Sequence, residues 1–164
     1  MDAFEKAETL VRAWLEEECI TRADVYINGL GAVEDTRCRR TADGERRSVR
    51  IDGSAGSAVN ELRGMQALPG RGAWFYSHLW MEMPEGALHQ ESDWMCEPDM
   101  GFDEVPLGAY KTELDRYPRD QEFIPDWLRD KVERWRLERG PVVARRVAHL
   151  EEEFRLEGGK YLYP

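Results

Sequence analysis

The 164-residue chain has a net charge of −10, a 41% hydrophobic fraction and six tryptophans, enough apolar material for one core and too much for intrinsic disorder. It contains no run of about 18 apolar residues, which excludes a transmembrane helix. The start Met1-Asp2-Ala3-Phe4-Glu5-Lys6 is acidic and amphipathic and lacks the basic head of a secretory signal, so a cytosolic protein of one domain, 1–164, is expected.

The charge is unevenly spread. Residues 1–72 hold 13 acidic and 11 basic side chains, residues 73–130 hold 14 and 4, and residues 131–164 hold 6 and 8. The net negative charge therefore sits in the centre of the chain. Such a field disfavours nucleic acid and anionic membranes and steers cationic partners inward, although solubility alone also requires charge. Cys19, Cys38 and Cys96 are odd in number and form no C-x-x-C pair, and so read as reduced thiols.

Asp2 and Glu5 have the spacing of a capping box. Phe4, Ala7, Leu10, Val11 and Trp14 recur at helical spacing behind them, predicting a helix over 3–20. Asp24-Val25-Tyr26-Ile27-Asn28 is a strand signal ending at Gly29 and Gly31. Ala42-Asp43-Gly44-Glu45 separates two arginine-rich runs and predicts a hairpin with an exposed basic face. Gly53-Ser54-Ala55-Gly56-Ser57 reads as a capping loop before a second helix that closes ahead of Pro69-Gly70.

Trp74 to Glu97 holds two alternating runs around Pro84-Glu85-Gly86. With an even loop, one face collects Phe75, Leu79, Met81, Met83, Leu88, Trp94 and Cys96. The other collects Trp74, Tyr76, His78, Trp80, Glu82, His89, Glu91 and Asp93. A one-residue slip would mix the sets, so burial selects the even loop. Pro98–Gly108 reads as a loop, and Ala109–Tyr117 as a short helix ended by Pro118. Pro125 opens a further helix with Leu128, Val132 and Trp135 on one stripe; Gly140-Pro141 is expected to stop it. A last helix then carries Val143, Val147, Leu150 and Phe154 before Gly158-Gly159. Grouped strands flanked by helices predict an α+β fold, an antiparallel sheet of about four or five strands packed against N-terminal and C-terminal helices.

No catalytic motif is specific enough to name a reaction. His78, His89, Glu91 and Asp93 could together hold a divalent metal or act as acid and base, which leaves a small metal-assisted hydrolase as an alternative. The H-x-E pair lacks the P-C-x-x-C of zinc deaminases. The glycine-rich start of the second helix could nest a phosphate, but it has neither a P-loop Lys-Ser/Thr nor G-x-G-x-x-G. Arg37, Arg39, Arg40, Arg46, Arg47 and Arg50 are interleaved with Glu34, Asp35, Asp43, Glu45 and Asp52, which favours local ion pairs over a nucleic-acid role. No cofactor is implied. Trp74, Tyr76 and Trp80 beside acids match a protein-binding hot spot unless the C-terminal helices cover them. A scaffold whose partner buries Leu128, Val132 and Trp135 is a third reading.

Several motifs between Trp74 and Trp127 carry a resemblance: Trp74-Phe75-Tyr76, the Gly86 turn, Asp93-Trp94, Glu97-Pro98-Asp99, Glu113-Leu114, Tyr117-Pro118-Arg119 and Ile124-Pro125-Asp126-Trp127. This stretch, about a third of the chain, resembles small bacterial immunity proteins of polymorphic toxin systems; the N-terminal third does not match the pattern. The resemblance implies a cytosolic, non-enzymatic α+β protein that neutralises a toxin domain. Together with the acidic centre it assigns Trp74, Tyr76, Trp80, Glu82, Glu91, Asp93, Glu97 and Asp99 to a basic partner. The oligomeric state is left open.

Overall fold

In the structure, a computed structural model, residues 1–51, 53–101 and 104–156 are described; in the last helix the side chains of Pro141 and Val143–Leu156 lie outside the described set. Expectations placed on Asp52 and on Gly158-Gly159 also lie outside the described residues.

Helix α1 spans Ala3–Glu17. Its capping box forms as the sequence predicts: Glu5 N–H donates to Asp2 Oδ1 at 2.8 Å, and Asp2 N–H donates to Glu5 Oε2 at 2.9 Å. These bonds satisfy two of the donors that a helix start leaves open. The helix ends at Glu17 rather than residue 20, and Ala7, Val11 and Leu15 form its buried stripe.

Strands β1 (Arg22–Leu30), β2 (Val33–Ala42) and β3 (Glu45–Val49) follow. Ala42 pairs with Glu45 across a two-residue loop in which Asp43 and Gly44 both have positive φ, 52° and 75°. Asp-Gly is the pair that tolerates this geometry, whose twist matches that of the strands. Helix α2 (Gly53–Met65) comes next, then β4 (Tyr76–Glu82) and β5 (Leu88–Asp93). All neighbours are antiparallel, in the order β3-β2-β1-β4-β5. The chain closes with α3 (Leu107–Arg116), a 3-10 turn (Gln121–Phe123) and α4 (Asp126–Leu156). Among the described residues the fold is therefore α+β, a five-stranded antiparallel sheet flanked by four α-helices. No helix among the described residues is long and apolar enough to cross a membrane.

Two of these assignments differ from the sequence reading. Gly53 to Ser57 form the first turn of α2 rather than a loop before it. Gly140-Pro141 does not stop the last helix: α4 runs unbroken through it. A proline removes one backbone bond and costs about 3 kcal/mol, and the Arg-, Glu-, Leu- and Ala-rich flanks favour helix on both sides.

The core has two parts. Ala23, Val25, Ile27, Leu79, Met81 and Leu88 on one face of the sheet pack against α1 and α2. Beyond the end of the sheet, Leu30 and Phe75 join Tyr110 of α3 and Leu128 and Val132 of α4. The stripe Leu128–Val132 is thus covered by the chain's own core and is not free for a scaffold partner. The C-terminal helices sit at the sheet's end, so among the described residues no helix lies across its second face.

Candidate functional site: the uncovered sheet face

The β4–β5 pairing runs from Tyr76 opposite Asp93 to Met81 opposite Leu88, which leaves an even, six-residue loop. Residues paired across an antiparallel ladder share a face. Leu79, Met81 and Leu88 therefore point to the helices, while Tyr76, His78, Trp80, Glu82, His89, Glu91 and Asp93 point away. Pairing with β1 and β2 extends that outer face into rows: Arg39–Asp24–Trp80–His89, Arg37–Tyr26–His78–Glu91 and Asp35–Asn28–Tyr76–Asp93.

The central rings form a ladder. Tyr26 and His78 stack at 4.5 Å and 9°, His78 and Trp80 are tilted at 4.8 Å, and Trp80 and His89 stack at 5.2 Å and 14°. Strand spacing of about 4.8 Å is itself close to a stacking distance, so facing rings stack on one another across strands. Their faces are used by each other, which leaves little ring face for the stacked bases of a single-stranded nucleic acid.

Asp24 lies beneath the ladder, 2% exposed. It accepts from Arg22 at 2.9 and 3.0 Å, lies 3.0 Å from His78 Nε2, and lies 3.5 Å from Arg46. Burial raises its carboxyl, but the bonds and charges of Arg22 and His78 outweigh this and hold it below the ordinary 3.8.

The charge of the face changes sign across the ladder. Strands β2 and β3 place Arg37, Arg39 and Arg46 on it against one carboxylate, Asp35. Strands β4 and β5 place Glu82, Glu91 and Asp93 on it, with no lysine or arginine. The basic hairpin and the acidic segment expected from sequence thus share one surface. One ion pair joins them, Arg37 to Asp99 at 3.6 Å; Arg37 also meets Asp35 on its own strand at 2.7 Å, and Arg22 of β1 meets Glu82 of β4 at 3.2 Å. The loop after β5 brings Glu97 and Asp99 to the end of the face, where they line a shallow depression of about 540 Å³ with Tyr26, Tyr76, Arg37 and Arg39. Glu97 is held loosely, 3.9 Å from Lys131.

Seven of the eight residues assigned to a partner, Tyr76, Trp80, Glu82, Glu91, Asp93, Glu97 and Asp99, are exposed or half-buried at this surface. Trp74 is not among them. It is fully buried in the core under α1 and α2, with its indole N–H donating to Gln66 Oε1 at 2.8 Å. The reason is local: β4 begins at Tyr76, so strand alternation does not reach residue 74. The metal reading fares no better geometrically. His78 Nε2 is engaged by Asp24, both histidine rings are stacked, and among the described residues no three His, Cys, Asp or Glu side chains converge on a point.

Sequence reasoning missed a second charged cluster. Glu113 Oε2 accepts from Arg63 at 2.7 Å and from Gly31 N–H at 2.6 Å, and Glu113 Oε1 lies 3.5 Å from Arg119. All three side chains are fully buried. Arg63 also donates to the Trp74 carbonyl at 2.8 Å, and Arg119 donates to the carbonyls of Ala73 and Trp94. Their guanidinium planes lie over Tyr117 and Phe75. Gly29 permits this approach, since a Cβ there would lie 2.3 Å from Arg63 Nε. The cluster knits β1, α2, α3 and the 73–94 segment together and has no access to a ligand. No sequence spacing marks it, although an acid at Glu113 facing the helix-buried side of α3 is a weak hint.

The chain matches no known protein family, and no curated protein is significantly similar to it.

Proposed function

We propose that the protein is a non-enzymatic binding protein of the immunity-factor kind, in which the uncovered sheet face receives a toxin domain through its ring ladder and its acidic β4–β5 half. The observation that carries this reading is the ladder itself. Tyr26, His78, Trp80 and His89 form a preassembled, half-buried aromatic ridge on a face that no described element covers. Rigid aromatic ridges rimmed by charge are what protein hot spots are made of, because they bury large area at small entropic cost. Glu82, Glu91 and Asp93 beside it would accelerate encounter with a basic domain.

The test is association with a purified basic nuclease-type toxin domain, followed by stopped-flow fluorescence. Charge reversal at Glu91 and Asp93 is expected to slow association by about tenfold and flatten its salt dependence, with the circular dichroism spectrum unchanged. Rates indifferent to both changes would overturn the reading.

A further inference from the structure

The two outer edges of the sheet are guarded differently. The edge formed by β3 carries exposed charges of both signs, Glu45, Arg46 and Arg47. The edge formed by β5 pairs only with β4 among the described residues, and Leu88–Asp93 contains no lysine, arginine or proline. Lysine, proline and bulges are what keep a strand edge from accepting another strand.

The main chain of β5 has a fixed alternation. Phe75 N–H donates to the Asp93 carbonyl at 2.8 Å, on the β4 side, and Leu88 N–H donates to Glu8 Oε2 at 3.1 Å, on the other. In an antiparallel ladder successive residues turn their N–H and C=O to opposite sides, so Gln90 and Ser92 share the outward sense of Leu88. Among the described residues nothing bonds the main-chain N–H or C=O of Gln90 or Ser92 on that side. Donors and acceptors therefore stand in line along an open edge, which Glu8 of α1 closes at Leu88.

The side chains flanking this edge select what fits it. On the helix side, Gln90 and Ser92 border an open depression of about 480 Å³ with Gln66, Leu68 and Trp94, an uncharged lining. On the outer face Glu91 is exposed with no cation against it among the described residues, and Asp93 is met by the N–H groups of Met95 and Cys96. A strand laid on this edge alternates in the same way. Its residues opposite Glu91 and Asp93 face outward beside carboxylates, and those opposite Gln90 and Ser92 face the uncharged depression. Opposite charges directly across a strand pair stabilise it. A second copy's β5 brings no lysine or arginine to Glu91, so charge favours a basic segment of another protein.

We propose that the β5 edge accepts an extended segment of a partner protein as a sixth, antiparallel strand, with lysine or arginine at alternate positions and apolar residues between them. In such additions main-chain bonds give affinity and alternate side chains give selectivity. Antiparallel pairing continues that of the sheet and is the more stable per residue. The site shares Glu91 and Asp93 with the function reading above but uses the edge rather than the ring ladder, so the two stand or fall separately.

The probe is a capped Lys-Val-Lys-Val-Lys-Val peptide titrated into the full isotope-labelled chain and followed by NMR. The Gln90 and Ser92 amide signals are expected to shift and their hydrogen exchange to slow. Methylating the valine nitrogens, which point at β5, should weaken binding at least about tenfold, whereas methylating the lysine nitrogens, which point away, should change it less than about twofold. Ser92→Pro removes an edge donor without touching the β4 ladder and should also weaken binding about tenfold. Glu91→Gln should weaken it about threefold and flatten its salt dependence. Equal binding by Lys-Lys-Lys-Val-Val-Val, or equal losses from the two methylations, would show plain charge attraction and overturn the proposal. Unmoved Gln90 and Ser92 amides overturn it as well. So do shifts of these amides that grow with protein concentration in the absence of peptide, since a second copy is then the occupant. Peptide loading without binding of a basic nuclease-type toxin domain sinks the function reading alone, and the converse sinks the edge alone.

Discussion

Two carboxylates organise this molecule, and they differ in one respect. Glu113 and its two arginines are sealed at the end of the sheet, with no exposed side-chain surface. Asp24 is equally buried itself, but its partners Arg22, His78 and Arg46 reach the uncovered face and are partly exposed. The chemistry of the two groups is similar; burial of the partners separates a cross-link that holds elements together from a brace beneath a binding surface. The two nearby tryptophans divide in the same way, Trp74 inside with Arg63 on its carbonyl and Trp80 outside in the ladder.

That contrast can be broken most severely at Glu113. Glu113→Ala leaves two buried guanidinium groups without their counter-charge and should cost about 3–5 kcal/mol, read from urea unfolding. If it costs no more than a surface substitution, the sealed character of the cluster is wrong. Next come the tryptophans: Trp74→Ala should cost about 3–5 kcal/mol through lost burial, whereas Trp80→Ala should cost about 1 kcal/mol or less, as an outward cross-strand ring does. Equal losses would erase the distinction between the two regions.

Asp24 offers a pH signature. Its folded carboxyl titrates below the ordinary 3.8, so the unfolded chain binds its proton first as pH falls. The stability it contributes is therefore complete above that value and is lost as pH drops through the lowered one. Wild type should lose stability more steeply than Asp24→Asn below pH 3.8, as followed by urea midpoints across an acid series. Parallel curves would show that Asp24 is not braced. The smallest effect is chemical. Burial, then the nearby Asp24 charge, pushes the Cys38 thiol up to about 11, and burial, then Asp93, does the same for Cys96. At neutral pH both should alkylate more slowly than exposed Cys19, by mass spectrometry of iodoacetamide-treated protein.

Local chemistry made much of the fold legible. The capping box at Asp2 and Glu5, the Asp43-Gly44 hairpin and the even loop between β4 and β5 each follow from spacing within a few residues. The even loop in turn placed Tyr76, His78, Trp80, Glu82, His89, Glu91 and Asp93 on one surface. Trp74 escaped because the alternating pattern runs two residues past the start of the strand, and alternation says nothing about where pairing begins. Gly140-Pro141 misled because helix-breaking cost is a local quantity that strong flanking propensity can exceed.

The rest depended on contacts between distant residues. The sequence by itself determined most of the elements, the Asp43-Gly44 turn and the inward or outward sense of the residues paired between β4 and β5, because these follow from backbone periodicity and turn chemistry. Only the tertiary structure decided that β1 stands between β2 and β4, which brings Tyr26 to His78, joins the basic hairpin and the acidic segment on one surface, and leaves that surface without a helix among the described residues. It alone assembled Arg63, Glu113 and Arg119 from three separate segments. The physical reason is that periodicity is encoded within a few residues, whereas burial and charge pairing are settled by which distant surfaces exclude water together.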